Sequence, residues 1–116
     1  MPRYIVKVGD LYGEWSTVVD APVTHLGTRE QFRAYYEKEY GRASMDEFEQ
    51  RMKRTDEKGT SSRMDNSAEE VMSCNRFGES EGRLSVPAVI SKWRRETEDA
   101  ARTARSMEVA EKGGRK

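Results

Sequence analysis

The chain has 116 residues, of which 34% are hydrophobic and 36% are charged, and its 21 basic residues balance its 21 acidic residues. This length predicts one domain with at most an appended element, and the balanced charge gives no support for a nucleic-acid-binding or membrane-surface protein. The hydrophobic fraction is low for a globular chain, so part of the chain is expected to be exposed or to depend on a partner.

Cysteine and histidine each occur once, as Cys74 and His25. A single cysteine forms no internal disulfide and is typical of a reducing compartment. The chain also lacks a signal-peptide pattern and an apolar run of about 18 residues, so we expect a soluble, cytoplasmic protein. A lone histidine and a cysteine without a CxxC partner predict no metal site. No catalytic set and no cofactor motif is apparent, which predicts a protein that is not an enzyme; the alternative is an enzyme whose site is assembled only by folding.

The first predicted element is a β-hairpin that turns at Gly9-Asp10. Glycine at the first of two loop positions favours a type II′ turn. Because side chains alternate between the two faces of a strand, this turn fixes which residues share a face. The predicted apolar face carries Tyr4, Val6, Val8, Leu11, Gly13, Trp15, Thr17 and Val19. Strand two is predicted to end at Ala21-Pro22, where proline removes a ladder donor.

Three capping signatures predict the starts of three short helices: Thr28-Arg29-Glu30-Gln31, Ser44-Met45-Asp46-Glu47 and Ser67-Ala68-Glu69-Glu70. In the first helix, four aromatic residues recur at helical spacing and are expected to cover the apolar face of the hairpin: Phe32, Tyr35, Tyr36 and Tyr40.

A long helix is predicted to follow the cap Ser85 and to run from Val86 to about Glu111. Its seam alternates in steps of four and three residues: Val86, Ile90, Trp93, Thr97, Ala100, Ala104 and Met107. At about 1.5 Å per residue this helix outreaches a small domain, so its second half is either a contact surface or a solvated tail. The sequence thus predicts an α+β domain over residues 1–85, a hairpin covered by three short helices, followed by a long C-terminal helix with a short basic tail over 86–116.

Two surfaces are candidates for binding a protein partner. The hairpin has edges that could pair with another chain, and the residues expected there are Tyr12, Trp15, Asp20 and Thr24. The seam of the last helix could mediate self-association or partner contact through Trp93, Ala100, Ala104 and Met107.

Two alternatives concern smaller or more highly charged ligands. A polar loop could bind a nucleotide or another anion through Thr60, Ser61, Ser62, Arg63 and Arg76, although it lacks the phosphate-loop pattern. The last helix could bind nucleic acid weakly through its basic residues, but acidic residues interrupt them. These basic residues are Lys92, Arg94, Arg95, Arg102 and Arg105.

The segments Asp10-Leu11-Tyr12, 15–24, Gly59-Thr60-Ser61-Ser62 and Asn75-Arg76 with Gly78 resemble small uncharacterised proteins encoded by tailed phages of actinobacteria. The resemblance covers roughly residues 3–85 and rests on no motif with a known mechanism, and the extension after Arg95 departs from it. It implies a phage origin and a bacterial host cytoplasm rather than a chemistry. The function predicted from the sequence is therefore that of a non-enzymatic phage accessory protein that docks on a host or phage protein.

Overall fold

The computed structural model describes residues 3–62 and 67–113, with side chains as far as Thr103. Within these residues the elements are β1 (Arg3–Val8), β2 (Leu11–Ser16), β3 (Ala21–Pro22), α1 (Arg29–Tyr40), α2 (Met45–Lys58), α3 (Ala68–Ser73) and α4 (Val86–Gly113). The predicted α+β class, with an N-terminal antiparallel sheet and a long C-terminal helix, is confirmed.

The predicted hairpin register is also confirmed. β1 pairs antiparallel with β2, with Val8 opposite Leu11 and Val6 opposite Gly13. The two-residue turn is possible because Gly9 has a φ of 61°, a left-handed conformation that costs glycine little. The turn therefore fixes the face on which every hairpin side chain lies.

The predicted end of the second strand is wrong. β2 stops at Ser16, residues 17–20 turn, and Ala21–Pro22 returns as β3 opposite Trp15 and Ser16. The hydroxyl oxygen of Ser16 accepts the backbone N–H groups of Val18 (3.2 Å) and Val19 (3.4 Å). Such a serine turn competes with strand extension, and it reverses the chain four residues earlier than the proline alone would indicate.

The hairpin is covered on both faces, which corrects the predicted packing. The aromatic helix α1 and helix α2 cover the face opposite to the predicted one, in a cluster of Ile5, Tyr12, Phe32, Tyr36, Phe48 and Met52. The predicted apolar face packs instead against α4, α3 and the loop before α1, in a cluster of Val6, Val8, Trp15, Leu26, Met72, Val89 and Trp93. Both faces are apolar enough to need a helix because Ile5 and Tyr12 interrupt the otherwise polar side.

Trp93 is the residue that fastens α4 to the sheet. Its side chain is 1% exposed, its ring centroid lies 5.9 Å from that of Trp15, and its indole N–H donates to the carbonyl of Thr24 at 2.8 Å. The ring lies directly over Gly13, where a Cβ atom would be 2.3 Å from Cζ2 of Trp93. The first half of α4 is therefore part of the same core as the hairpin, and packing crosses the predicted boundary at residues 85 and 86.

One of the three capping signatures forms completely, and a second forms its N-cap hydrogen bond. Thr28 and Gln31 make a reciprocal capping box at α1, and Ser67 accepts the backbone N–H of Glu70 at α3. Ser44 does not cap α2 through its side chain, because a 3₁₀ turn over Arg42–Ser44 leads into the helix and its hydroxyl donates to the carbonyl of Gly41. A sequence signature thus located this helix start without predicting its geometry.

Candidate functional site

The predicted anion-binding loop is buried against the sheet. The backbone N–H of Lys7 donates to the carbonyl of Gly59 and that of Ser61 to Ile5, each at 2.9 Å, so the segment closes the edge of β1. The Ser61 hydroxyl also accepts the Ile5 N–H at 2.8 Å. The alternative of an anion-binding loop needs exposed hydroxyl groups here, but the three hydroxyl residues are at most 3% exposed: Thr60, Ser61 and Ser62.

Two arginines, Arg63 and Arg76, were the predicted cationic partners of that loop. Arg63 falls outside the described residues. Arg76 joins the turn after β2, where its backbone N–H donates to the carbonyl of Asp20 at 2.8 Å and its Nε lies 3.7 Å from the Asp20 carboxylate. Arg76 therefore holds a turn in place.

The predicted docking edge of the hairpin is also wrong. Segment 59–61 covers β1, and β3 together with Gly27 covers β2, where Tyr12 and Gly27 exchange two backbone hydrogen bonds of 2.8 and 2.9 Å. Of the residues expected at that edge, Tyr12 and Trp15 are buried. Thr24 is half-buried and accepts the Glu14 backbone N–H through its hydroxyl. A partner strand would therefore find the middle of both hairpin edges already paired.

The turn that includes Asp20 carries exposed apolar side chains. Among the described residues the large hydrophobic side chains that are exposed are Val18 at 70%, Val19 at 52% and Val23 at 39%. We call residues 17–23 the valine turn. Its backbone is fixed by the Ser16 hydroxyl on one side and by the bond from Arg76 to Asp20 on the other. Clustered exposed apolar side chains of this kind mark interaction sites more often than isolated ones.

A groove of ≈ 510 Å³ runs between the loop before α1, α1 itself and the middle of α4. We call it the α4 groove. It joins Thr24 and Ala100, which the sequence had placed on separate candidate surfaces. Trp93, predicted as a contact residue of the seam, is in the core beneath, and the side chains of Ala104 and Met107 lie outside the described residues. The groove is lined by Thr24, His25, Leu26, Gly27, Gln31, Phe32, Tyr35, Thr97, Ala100 and Ala101.

The carboxylate of Glu14 lies behind one wall of the groove and is 0% exposed. It accepts the hydroxyl of Tyr35 at 2.5 Å and that of Tyr40 at 2.8 Å, and Nη1 of Arg3 is 3.9 Å away. Burial and the hydrogen bond to Glu14 raise the pKa of both tyrosines, so both remain donors at neutral pH. We call these four residues the Glu14 cluster; it is satisfied internally and stabilises the packing of α1 on β2.

A second charged cluster lies where α1, α2 and the sheet meet at the surface. Asp56 accepts the Tyr12 hydroxyl at 2.6 Å and a short hydrogen bond from Arg29, and Lys7 Nζ is 3.6 Å away. Burial alone would raise the pKa of Asp56, but the hydrogen bonds from Tyr12 and Arg29 outweigh it and hold the pKa below its ordinary value. The carboxylate thus links three elements.

Replacing Asp56 should change how the free energy of unfolding depends on pH in the acidic range. Because the folded-state pKa is lowered, Asp56 stabilises the fold above its unfolded pKa of about 3.9, and this contribution disappears as the pH falls through the folded value. We expect Asp56→Asn to be less stable than wild type at pH 7 and to lose less stability below about pH 4. Urea unfolding across pH tests this, with the neighbouring exposed carboxylate change Glu57→Gln as control. Equal acid slopes in wild type and Asp56→Asn would contradict it.

The basic residues of α4 do not form an uninterrupted patch. Arg94 and Arg95 are exposed, but Arg102 pairs with Asp99 at 3.6 Å. The exposed Glu98 also lies between Arg95 and Arg102 along the helix. The alternating charges favour a solvated helix face over a nucleic-acid interface.

Among the described residues, no group of three or more potential metal-ligating side chains comes together, and none of their helices is long and apolar enough to cross a membrane. No family model, no curated protein and no solved structure matches the chain. Its function must therefore be inferred from its own surfaces.

Proposed function

We propose that this chain is a non-enzymatic protein-interaction factor that docks on another protein through the valine turn. The observation that carries the proposal is the exposure of Val18, Val19 and Val23 on a backbone that is already fixed. A rigid turn loses little conformational entropy on binding, so the apolar area that it buries contributes more fully to affinity.

The partner chemistry follows from the shape and charge of this turn. Val18 and Val19 project at its tip, and the nearby Asp20 carboxylate already faces Arg76. The partner should therefore offer an apolar recess that receives the two valines, with a polar rim around it. In keeping with the phage resemblance, we propose that the chain is a phage-encoded accessory protein and that the partner is a host or phage protein in the bacterial cytoplasm.

The absence of a reaction is part of the proposal, and two clusters support it. Glu14 is held by two tyrosine hydroxyls, and Asp56 by Tyr12 and Arg29, so neither carboxylate is left to act as a base. A general base needs a free acceptor within reach of its substrate. The buried hydroxyls of segment 59–62 likewise give no support to nucleotide binding.

Site-specific cross-linking tests this function. A photo-reactive amino acid at position 18 should capture one protein from an actinobacterial lysate, prepared with and without phage infection, and the same group at exposed Lys53 should not. The captured protein is then purified and titrated against variants. We expect Val18→Ser/Val19→Ser to bind about 30-fold more weakly, at about 1 kcal/mol per valine.

The matched control is Ala34→Ser, which makes a similar apolar-to-polar change at an exposed position of α1. It should bind as wild type does. Equal capture from positions 18 and 53, or equal affinity of the double serine variant and wild type, would overturn the proposal.

A further inference from the structure

We propose that the α4 groove is a binding site for a small amphipathic carboxylate, with its hydrocarbon part on the groove floor and its carboxylate at His25 and Gln31. The site is separate from the valine turn and does not depend on the function proposed above. Its volume of ≈ 510 Å³ falls in the range of small-molecule sites, which are roughly 300–1,000 Å³.

The floor of the groove is apolar and fixed. Leu26 and Phe32 are 5% and 3% exposed, and Leu26 is held by a hydrogen bond of 2.9 Å from its backbone N–H to the hydroxyl of Thr97. Ala100 and Ala101 form the α4 wall and leave room above this floor. A hydrocarbon chain placed there would remove apolar surface from water on both molecules.

The polar groups at the rim select the head group. The Tyr35 hydroxyl hydrogen is already donated to Glu14, and the Thr97 hydroxyl is engaged with Leu26 and with the carbonyl of Trp93. The donors left over are the imidazole of His25 and the side-chain NH₂ of Gln31, neither of which makes a hydrogen bond within the described part of the chain. Two N–H donors suit a carboxylate.

The lining also lacks the charge that would repel an anion. Among the described residues no acidic side chain lines the groove, and Glu14 lies behind Tyr35 with Arg3 near its carboxylate. An alkylammonium group of the same chain length would meet the NH₂ donor of Gln31, whose side-chain oxygen already accepts the Thr28 N–H. The groove should therefore discriminate between head groups as well as accept the chain.

Gln31 provides a substitution that isolates the head-group contact. Its side-chain oxygen closes the capping box of α1 by accepting the Thr28 N–H at 2.9 Å. Glutamate serves the same position of a capping box, so Gln31→Glu should preserve the helix start while replacing the NH₂ donor by an anion.

The single histidine makes the test direct, because the protein has one histidine Hε1 resonance to follow by NMR, here called the His25 signal. Octanoate titrated into the full-length protein should move the His25 signal saturably, and octylamine should bind about tenfold more weakly or not at all. Gln31→Glu should lose octanoate binding. Ala101→Trp should also lose it by filling the groove, while Thr103→Trp, at an exposed position of α4 outside the lining, should bind as wild type does.

Three results would overturn the proposal. The first is no saturable shift of the His25 signal with octanoate up to about 10 mM. The second is an equal response to octylamine, which would leave only apolar adsorption. The third is unchanged octanoate binding by Gln31→Glu with its helix content retained by circular dichroism. Binding of the captured partner protein at the valine turn should be unaffected by Ala101→Trp, which keeps the two proposals separable.

Discussion

Gly13→Ala should lower the free energy of unfolding by about 2–4 kcal/mol, a large effect for the addition of one methyl group. The added Cβ would lie 2.3 Å from Cζ2 and 3.0 Å from Cη2 of Trp93, well inside van der Waals contact. Trp93 cannot easily move away, because its ring packs on Trp15 and its indole N–H is bonded to Thr24. Either α4 shifts or the hydrogen bond breaks, and both outcomes weaken the core.

A double-mutant cycle measures how much of this cost belongs to the one contact. If the overlap with the indole ring is the cause, Gly13→Ala should be much less harmful in a Trp93→Leu background, because the six-membered ring that it strikes is gone. Urea unfolding of the four proteins gives the coupling. An equal cost of Gly13→Ala in both backgrounds would contradict the close approach of α4 to the strand.

The same contact shows what the sequence could and could not predict. Gly13 leaves a gap between Leu11 and Trp15 on one hairpin face, and the register that reveals this gap follows from the two-residue turn at Gly9-Asp10, which the apolar pattern selects over a five-residue loop. Which helix fills the gap is not local information. The aromatic stripe of α1 was the more obvious candidate, yet Trp93 fits, because a large flat ring needs a position that lacks a side chain.

Local chemistry predicted most helix starts, since a cap and its partner are three residues apart. Burial of polar residues depended instead on partners far along the chain. Ser61 is buried because Arg51, itself 4% exposed, reaches it at 3.4 Å and also donates to the carbonyl of Arg3 at 2.7 Å. A glycine followed by three hydroxyl residues indicated an exposed loop. The sequence does not reveal that Arg51 hydrogen-bonds to Ser61 and so stabilises its burial.

Glu14 was missed for a related reason. By strand alternation it shares a face with Ile5 and Tyr12, and a glutamate there is most simply taken as solvent-exposed. The signal lay in α1, where tyrosines occupy inward positions that phenylalanine could fill. A buried tyrosine hydroxyl needs a hydrogen-bond partner, and Tyr35 and Tyr40 together indicate an acceptor on the surface that they cover.

Removing both of these hydroxyls should lower the free energy of unfolding by about 3–5 kcal/mol at pH 7. Tyr35→Phe/Tyr40→Phe would leave the 0% exposed Glu14 carboxylate with Arg3 at 3.9 Å as its remaining charged neighbour. A buried charge that loses its hydrogen-bond donors costs far more than the donors contributed as net hydrogen bonds. Adding Glu14→Gln to the double variant should therefore restore part of the loss, because a neutral amide needs less compensation.

The free energy of unfolding at alkaline pH provides an independent test of the Glu14 cluster. Because burial and Glu14 raise the pKa of Tyr35 and Tyr40 in the folded state, the unfolded chain releases these two protons first. Their contribution is fully present below the unfolded pKa of about 10 and is lost as the pH rises above it. Wild-type stability, measured by urea unfolding, should fall above about pH 10, and the double phenylalanine variant should lack that part of the slope.

Tyr4→Phe, whose hydroxyl makes no hydrogen bond within the described residues, is the matched control and should leave both the pH 7 stability and the slope unchanged. A double variant within about 1 kcal/mol of wild type, or one that keeps the full alkaline slope, would show that Glu14 does not depend on these two donors.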